Sequence, residues 1–180
     1  MKATGIVRRI DDLGRIVIPK EIRRTMRLRE GDPLEIYTST EGEVIFKKYS
    51  PIGELAPFAT QYADVLSNGT SLSVIICDKD HCIAASGISK REVLERRLSA
   101  ELEEILEDRK SYFAKPGENK NIHPLEGIIH TASVIVPIIS AGDVVGVIWM
   151  LTPETGAVPS ESDCNLAKVA ASFLGKQMEE

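Results

Sequence analysis

The sequence is poor in cysteine and has no long apolar run. Only three of its 180 residues are cysteine, and three thiols cannot all pair within one chain, so a reducing, cytoplasmic compartment is expected. No basic segment followed by an apolar core and a cleavage site opens the sequence, so no secretory signal is expected. Its longest apolar stretches, such as residues 144–151, are far shorter than the roughly 18 residues that cross a bilayer, so no membrane partner is expected.

Motifs typical of enzymes are also lacking. The sequence has no Walker loop, no Rossmann glycine fingerprint, no zinc-protease His-Glu-x-x-His and no Gly-x-Ser-x-Gly. Cys77 and Cys82, with His81 between them, stand at the edge of zinc-ligand spacing, and no second Cys/His pair follows. We therefore expect no catalytic site, no metal and no cofactor.

Basic residues are concentrated in one short segment of an acidic chain. The formal net charge is -5, which by itself argues against a nucleic-acid-binding protein. Residues 1–29, however, carry nine Lys and Arg against three Asp and Glu, a net of +6, whereas residues 51–180 carry a net of -8. Such a segregation predicts a basic domain with an anionic partner.

The chain is predicted to hold two domains, because the charge changes sign near residue 50 and turn-forming residues follow it. We predict a first domain at 1–50, a linker at 51–56 and a second domain at 57–180. The first domain is predicted to be β-β-α-β-β, with a tight Asp-rich turn at 11–14. Its strands are expected at 5–10, 15–18, Leu34–Thr38 and Val44–Lys48, and its helix at 20–28 after Pro19.

The first domain is too small to bury a comfortable core alone. Some 50 residues with two hairpins and one brief helix hide little apolar surface. We therefore predict that a second copy completes its core as an obligate dimer, with a monomeric small domain as the alternative.

The second domain is predicted to be an antiparallel or mixed sheet with flanking helices. A capping box at Ser89 and Glu92 predicts the start of a helix that continues through Leu106, and Ser160 with Asp163 predicts the start of a closing helix. Another helix is expected at 55–66, strands at 73–77, 82–85, 133–139 and 144–151, and a long polar loop at 112–129. The apolar face of the closing helix is assigned to Leu166, Val169, Ala170, Phe173 and Leu174.

Arginine dominates the basic segment, with seven of its nine basic residues. Arginine presents a planar fork that grips phosphate or a guanine edge bidentately, whereas lysine acts as a point charge. A solvated, salt-bridged surface is the alternative interpretation. Dimerisation would double each arginine by symmetry and favours a broad DNA-binding face. The nine residues are Lys2, Arg8, Arg9, Arg15, Lys20, Arg23, Arg24, Arg27 and Arg29.

Residues 2–24 closely resemble the AbrB-type DNA-binding domain, most specifically in the run Leu-Gly-Arg-Ile-Val-Ile-Pro at 13–19, and the likeness continues through 31–36 and 44–49. The resemblance implies that two chains interleave their hairpins into one swapped-hairpin barrel, in agreement with the dimer inferred from size. It also implies that arginines contact the DNA. The matching residues are Arg8, Arg15, Arg23 and Arg24, and Arg9 is added to them although relatives often have lysine at its position.

The full layout resembles sporulation regulators that join this domain to a C-terminal GAF domain. The expected fold is an α+β two-domain protein, with an N-terminal AbrB-type swapped-hairpin dimeric β-barrel and a C-terminal GAF-like α/β domain whose antiparallel sheet is flanked by helices. The resemblance implies a transcriptional regulator, activating and repressing, that binds double-stranded DNA and forms a homodimer. It further implies a homotetramer through the GAF-like domains, or an unidentified small-molecule ligand there.

Two alternatives remain open. Antitoxins use the same swapped-hairpin fold, although they usually carry a disordered toxin-binding tail where this chain has a globular pattern. A GAF-fold sulfoxide reductase would need reactive cysteines, for which Cys77, Cys82 and Cys164 are the available residues.

Overall fold

The structure, a computed structural model, describes residues 4–118 and 121–179, and the chain divides into two compact units, Met1–Tyr49 and Ser50–Glu180. The segment predicted as a linker contains a short helix, α2 (Pro51–Glu54), which begins at Ser50 with a hydrogen bond from Gly53 N to the serine hydroxyl. Ile52 of this helix is completely buried in the core of the second unit. The domain limits predicted from the sequence, 1–50 and 57–180, stay a prediction.

Within residues 4–49 the first unit contains one helix and one hairpin. The hairpin is confirmed, with β1 (Leu34–Thr38) antiparallel to β2 (Val44–Lys48) and Ile36 opposite Phe46. Helix α1 (Lys20–Thr25) is shorter than predicted. It ends because Arg27 adopts a left-handed conformation, φ 51°, and the N–H groups of Arg27 and Leu28 return to the carbonyls of Arg24 (3.3 Å) and Arg23 (2.7 Å). This is a Schellman ending with arginine in the place usually held by glycine.

The two strands predicted at 5–10 and 15–18 are not formed within the single chain. The turn between them is present, but among residues 4–19 of the described chain no strand ladder follows it. Pro19 is buried, but none of the Val, Leu, Ile, Met, Phe and Tyr side chains of residues 4–49 is. A strand needs a neighbour to satisfy its backbone groups, and this segment finds none in its own chain.

The second unit is built on a five-stranded antiparallel sheet in the order β4-β3-β7-β6-β5. Its side chains alternate between two apolar cores, as the period of a strand requires. Ile76 and Ile148 belong to one core, and Ile75 and Trp149 to the other. The strands are β3 (Val74–Cys77), β4 (Cys82–Ser86), β5 (Tyr112–Phe113), β6 (Ala132–Ser140) and β7 (Asp143–Leu151).

Helices cover both faces of this sheet. On one face lie α3 (Ala56–Thr70) and α6 (Glu161–Gln177), which contribute to the first core. On the other face lie the shorter α4 (Lys90–Val93) and α5 (Ala100–Glu107). Across the described residues, none of the helices is both long and apolar enough to span a bilayer.

The prediction of a single helix from Ser89 through Leu106 is wrong, because the segment between α4 and α5 is not helical. Cys82 of the edge strand donates its N–H to the Arg96 carbonyl (2.9 Å) and accepts the Glu95 N–H (3.0 Å), which draws this segment out of helical geometry. Ser89 makes no side-chain capping bond, so the predicted capping box is also wrong. Ser99 caps α5 instead, with its hydroxyl accepting the Leu102 N–H at 3.1 Å.

The predicted polar loop at 112–129 is partly structured and partly buried. It begins with β5 and contributes Ile122, Leu125 and Ile128 to the second core. These isoleucines and leucine stand among polar residues, and no helical or strand periodicity marks them as buried.

The start of α6 is confirmed, since Ser160 and Asp163 form a reciprocal capping box. Its predicted apolar face is only half right. Ala170 and Leu174 are buried, whereas Leu166, Val169 and Phe173 are exposed. Besides Leu174, the helix turns small residues inward, namely Ala167, Ala170, Ala171 and Gly175. At Gly175 it lies so close to the Ile139 carbonyl that an added Cβ would clash with it.

Candidate nucleic-acid interface

The turn at 11–14 is organised by the carboxylate of Asp11. Its Oδ1 accepts the N–H groups of Leu13 (3.0 Å) and Arg15 (2.7 Å), and the Gly14 N–H donates to the Asp11 carbonyl at 3.0 Å. Gly14 takes φ 75°, a left-handed conformation that glycine adopts without strain. The Leu-Gly sequence therefore allows a turn tight enough to bring Arg15 back beside Asp11.

Asp11 also orients the Arg15 side chain. Its Oδ2 accepts the Arg15 Nε–H at 2.8 Å, although the arginine side chain stays 69% exposed. The Arg15 backbone N–H and then its guanidinium lower the pKa of the Asp11 carboxyl below its ordinary value. The aspartate is therefore ionised at neutral pH, and it fixes the direction of an exposed guanidinium.

Arg23 and Arg24 lie in the second half of α1, and both are exposed. Their backbone carbonyls accept the two N–H groups that close the helix end. The Schellman ending thus sets the direction of the last helical turn, which carries both side chains. The exposed Thr25 hydroxyl donates to the Glu21 carbonyl at 2.9 Å and adds a second local tie.

The other predicted residues flank these two groups. Arg8 and Arg9 are exposed just before the turn. Arg29 lies beside Asp32, whose Oδ2 accepts the Arg29 N–H at 2.8 Å and also pairs with Lys48 at 3.5 Å. Lys2 falls outside the described residues. All five arginines predicted to contact DNA are therefore exposed, namely Arg8, Arg9, Arg15, Arg23 and Arg24, and Arg29 is exposed as well.

Sequence reasoning recognised the Asp-rich turn but missed the tie between Asp11 and Arg15. The four-residue spacing of Asp11 and Arg15 could have indicated this contact. Asp11 is the first residue of the turn and Arg15 follows the turn directly, so the turn brings the two side chains together. An anion-binding surface gains from this tie because an exposed arginine held in one direction loses less freedom on binding.

The cysteine and histidine residues of the second unit lie apart from any cluster of metal ligands in the described part of the chain. Within residues 4–118 and 121–179, no group of three or more His, Cys, Asp or Glu is arranged to hold a metal ion. Cys77, Cys82 and Cys164 are free thiols. His81 lies in the turn between Cys77 and Cys82, where its N–H donates to the Asp78 carboxylate at 2.6 Å.

Comparison with known families identifies relatives of both units. The family model described as "Stage V sporulation protein T C-terminal, transcription factor" matches residues 54–179. The model described as "Antidote-toxin recognition MazE, bacterial antitoxin" matches residues 7–53. The two matches meet close to the boundary between the two compact units.

Individual relatives agree with these matches. Stage V sporulation protein T of Bacillus subtilis (strain 168) is 47% identical over 182 residues, which cover 100% of both chains. Transition state regulatory protein AbrB of the same organism is 59% identical over 51 residues, which cover 28% of this chain and 52% of that protein. The predicted AbrB-type character of the first unit is thus confirmed. The full-length match favours a transcriptional regulator over the antitoxin alternative.

The fold of the second unit is that of a GAF domain. The GAF domain from a phosphoenolpyruvate-protein phosphotransferase of Coxiella burnetii superposes with a TM-score of 0.56, covering 69% of this chain and 82% of that one. The two are 14% identical, so the likeness concerns the fold alone. The predicted GAF-like domain with an antiparallel sheet is confirmed.

Proposed function

The chain belongs to the stage V sporulation protein T family, and we propose that it regulates sporulation genes by contacting double-stranded DNA through Arg8, Arg9, Arg15, Arg23 and Arg24. The observation that carries this assignment is the turn in which Asp11 directs an exposed Arg15, followed by a helix end that presents Arg23 and Arg24. The matched family is described as a transcription factor, which acts by binding DNA rather than by catalysing a reaction. A regulator of this kind works in the compartment that holds the chromosome, the bacterial cytoplasm.

The five arginines would supply affinity mainly through phosphate contacts. Arginine forks pair with phosphate oxygens and release the counterions that surround DNA. A few arginine contacts to base edges, together with the shape of the duplex, would supply specificity. Activation and repression then depend on where the site lies relative to a promoter.

A second copy of the chain would complete the DNA-binding unit. The first unit leaves twelve large apolar side chains exposed and buries none, whereas burying one Val, Leu or Ile contributes about 1.5–3 kcal/mol. Ile36, Phe46 and Val44 share one face of the hairpin, because the first two lie opposite each other and Val44 is two residues from Phe46. We therefore assign residues 5–10 and 15–18 to strands that pair only in a homodimer with interleaved hairpins.

The GAF-like unit carries a further apolar surface suited to pairing. Tyr62 of α3 stacks on Phe58 of the same helix and on Phe173 of α6, and Phe58 meets Phe173 at a tilt of 38°, with ring centroids 5.6–6.1 Å apart. Beside them Val65 is 69% and Val169 is 64% exposed. We define these five residues as the α3/α6 face. A second GAF-like unit laid on this face would join two dimers into a homotetramer.

A small molecule is the other possible signal for the GAF-like unit. The core beneath α5 is filled by the chain's own apolar side chains, including Leu98, Leu102, Leu125 and Trp149, each no more than 1% exposed. We therefore favour oligomerisation over ligand binding as the role of this unit. Titration with candidate metabolites, followed by the fluorescence of Trp149, tests the choice, because a ligand entering this core must move the indole.

The decisive test of DNA binding replaces Arg23 and Arg24 by Ala. If about eight of the arginines in a dimer each neutralise one phosphate, log K falls with log salt at a slope near -7. The double variant removes four such contacts per dimer, so its slope should fall to about -3.5 and its gel shift should vanish at physiological salt. Lys90→Ala with Arg91→Ala, at two exposed residues of α4, is the matched control because it removes the same charge from the other unit.

Fluorescence anisotropy against a labelled promoter fragment measures the slope. Circular dichroism and light scattering show whether each variant keeps its fold and oligomeric state. Wild-type DNA affinity in a folded Arg23/Arg24 variant, or an equal loss in the Lys90/Arg91 control, would refute the assignment.

A further inference from the structure

Two thiols face each other where the β3–β4 hairpin opens into its turn. Cys77 ends β3, Cys82 begins β4, and the two residues lie opposite each other in the ladder. Regular pairing from Ile76 opposite Ala84 would have placed Ile83 against Cys77. A bulge in the register at this point brings Cys82 there instead. Both cysteine side chains belong to the core that contains Trp149.

The backbone pattern gives these cysteines the spacing of a disulfide. The Asp78 N–H donates to the His81 carbonyl at 3.0 Å, whereas the N–H and carbonyl of Cys82 bond to Arg96 and Glu95. Cys77 and Cys82 are therefore a non-hydrogen-bonded pair, for which the Cα–Cα distance is typically about 4.5 Å. Disulfides need Cα atoms about 4.4–6.8 Å apart, so an S–S bond fits without rearrangement of the ladder.

The surroundings of the sulfurs keep them reduced while the fold is closed. Both residues are 0% exposed. The Trp149 indole N–H donates to Cys77 Sγ at 3.4 Å, and Cys82 Sγ donates to the Ala84 carbonyl at 3.7 Å. Burial, together with the neighbouring Cys82 thiol, raises the pKa of Cys77 well above its ordinary value. A thiol of this kind reacts slowly with an external oxidant.

Access depends on the edge strand. Strand β4 is the last strand of the sheet on its side, with β3 as its strand neighbour. Its outer side is held near the turn by the bonds of Cys82 to Glu95 and Arg96 and by the Leu98 N–H, which donates to the Asp80 carbonyl at 2.9 Å, so opening the hairpin must break these bonds. The turn that joins the two strands is partly exposed at Asp78 and Asp80 and exposed at Lys79. Edge elements open locally at a lower free energy than a central strand. Local opening of the hairpin would expose both sulfurs together.

We propose that Cys77 and Cys82 form a redox site that closes to an intramolecular disulfide when a peroxide reaches the opened hairpin. One thiolate sulfur attacks a peroxide oxygen, the O–O bond breaks, and a sulfenic acid and one water result. The second sulfur then displaces the sulfenic oxygen as water and forms the S–S bond. Two thiols and one hydrogen peroxide thus give one disulfide and two waters, and the two electrons pass from sulfur to oxygen.

The third cysteine supplies an internal control. Cys164 lies on α6, is partly exposed and packs against the core on the opposite face of the sheet. It cannot reach Cys77 or Cys82 within the folded unit. A Cys164→Ser chain therefore isolates the pair and prevents cross-linking through α6.

The experiment uses the full chain with Cys164→Ser and adds hydrogen peroxide at increasing, sub-denaturing urea. Samples are unfolded, alkylated and analysed by mass spectrometry. We expect a species that has lost two hydrogens, takes no alkyl group and regains both thiols with dithiothreitol. Its rate should rise with urea, because opening of the hairpin limits access. The fluorescence of Trp149, the sole tryptophan, should fall in parallel because disulfides quench a nearby indole.

Cys77→Ala and Cys82→Ala in the same background provide the matched controls, each of which should lose both the disulfide and the quenching. The proposal is overturned if both thiols of the Cys164→Ser chain remain alkylatable after peroxide has oxidised a reference dithiol peptide under the same conditions. It is also overturned if oxidation stops at oxygen adducts of single sulfurs, or if the only disulfides join two chains.

Discussion

Gly175 is the position where one added methyl group should most clearly disturb the GAF-like unit. A Cβ at this residue of α6 would lie 2.1 Å from the Ile139 carbonyl oxygen and 3.0 Å from its carbon. Ordinary contact begins near 3.4 Å, so the helix would have to move by about 1.3 Å. Because the opposing atoms are backbone of β6, no side-chain rotation relieves the clash.

The expected cost follows from two opposed terms. Overpacking a core costs about 1–3 kcal/mol, and a carbonyl that cannot yield places Gly175→Ala at the upper end. Alanine is the better helix former by about 1 kcal/mol. We therefore expect Gly175→Ala to lower the free energy of unfolding by about 2 kcal/mol. A shift of α6 would also lift Ala171 and Leu174 from the sheet and displace Phe173 in the α3/α6 face.

Gly69→Ala provides the matched control, because it is the same substitution in the neighbouring helix α3. Nothing lies within 4 Å of its added Cβ, so only helix propensity acts, and the unit should become more stable by up to about 1 kcal/mol. Urea unfolding followed by the fluorescence of Trp149 measures both variants, since this residue reports the GAF-like unit alone. A Gly175→Ala protein as stable as the wild type would refute the close approach of α6 to β6.

Three further predictions concern the surfaces. Val169→Glu places a charge on the apolar α3/α6 face and should convert tetramers into dimers, as measured by light scattering. The control Ile129→Glu, at a residue that is 85% exposed and outside that face, should leave the mass unchanged. Phe46→Asp should abolish the dimer of the first unit and with it DNA binding, while Thr40→Asp in the exposed hairpin loop should do neither; a dimeric Phe46→Asp protein would contradict the swapped-hairpin interface. The Asp11 carboxyl, titrated by NMR, should show a pKa below 3.8, and Arg15→Ala should raise this pKa. Because the pKa of Asp11 is lower in the folded protein than in the unfolded chain, the ionised carboxylate stabilises the turn at pH values above the unfolded pKa. This stabilisation is lost as the pH falls through the folded pKa.

Elements specified by neighbouring residues were predictable from the sequence. The β1–β2 hairpin and the capping box at Ser160 rest on turn chemistry and on contacts three or four residues apart. The Asp11 turn is of the same kind. Local hydrogen bonds and the alternation of apolar residues are visible in the order of residues, so these elements formed where they were expected.

Elements decided by distant contacts were not predictable. The helix expected through residues 94–99 broke because Cys82, far away in sequence, bonds to Glu95 and Arg96. The buried face of α6 was misplaced because the helix lies against Ile139 at Gly175, a contact between residues distant in sequence, and this orientation buries Ala167, Ala171 and Gly175 instead of Leu166, Val169 and Phe173. In the candidate site the five arginines were named from the sequence, whereas the orientation of Arg15 depends on the Asp11 side chain.

Pairing with a second chain would account for both the exposed apolar residues and the segregated charge of the first unit. The basic first unit keeps every Val, Leu, Ile, Met, Phe and Tyr side chain of residues 4–49 at least partly exposed, which a stable domain does not tolerate alone. Pairing would cover these side chains and set two copies of each arginine on one surface. The α3/α6 face would then join two such dimers, so that a second DNA contact becomes intramolecular and gains from effective concentration. The acidic charge of residues 51–180 would oppose contact between this half and the duplex, and under the proposed function it would leave DNA binding to the arginines of the first unit.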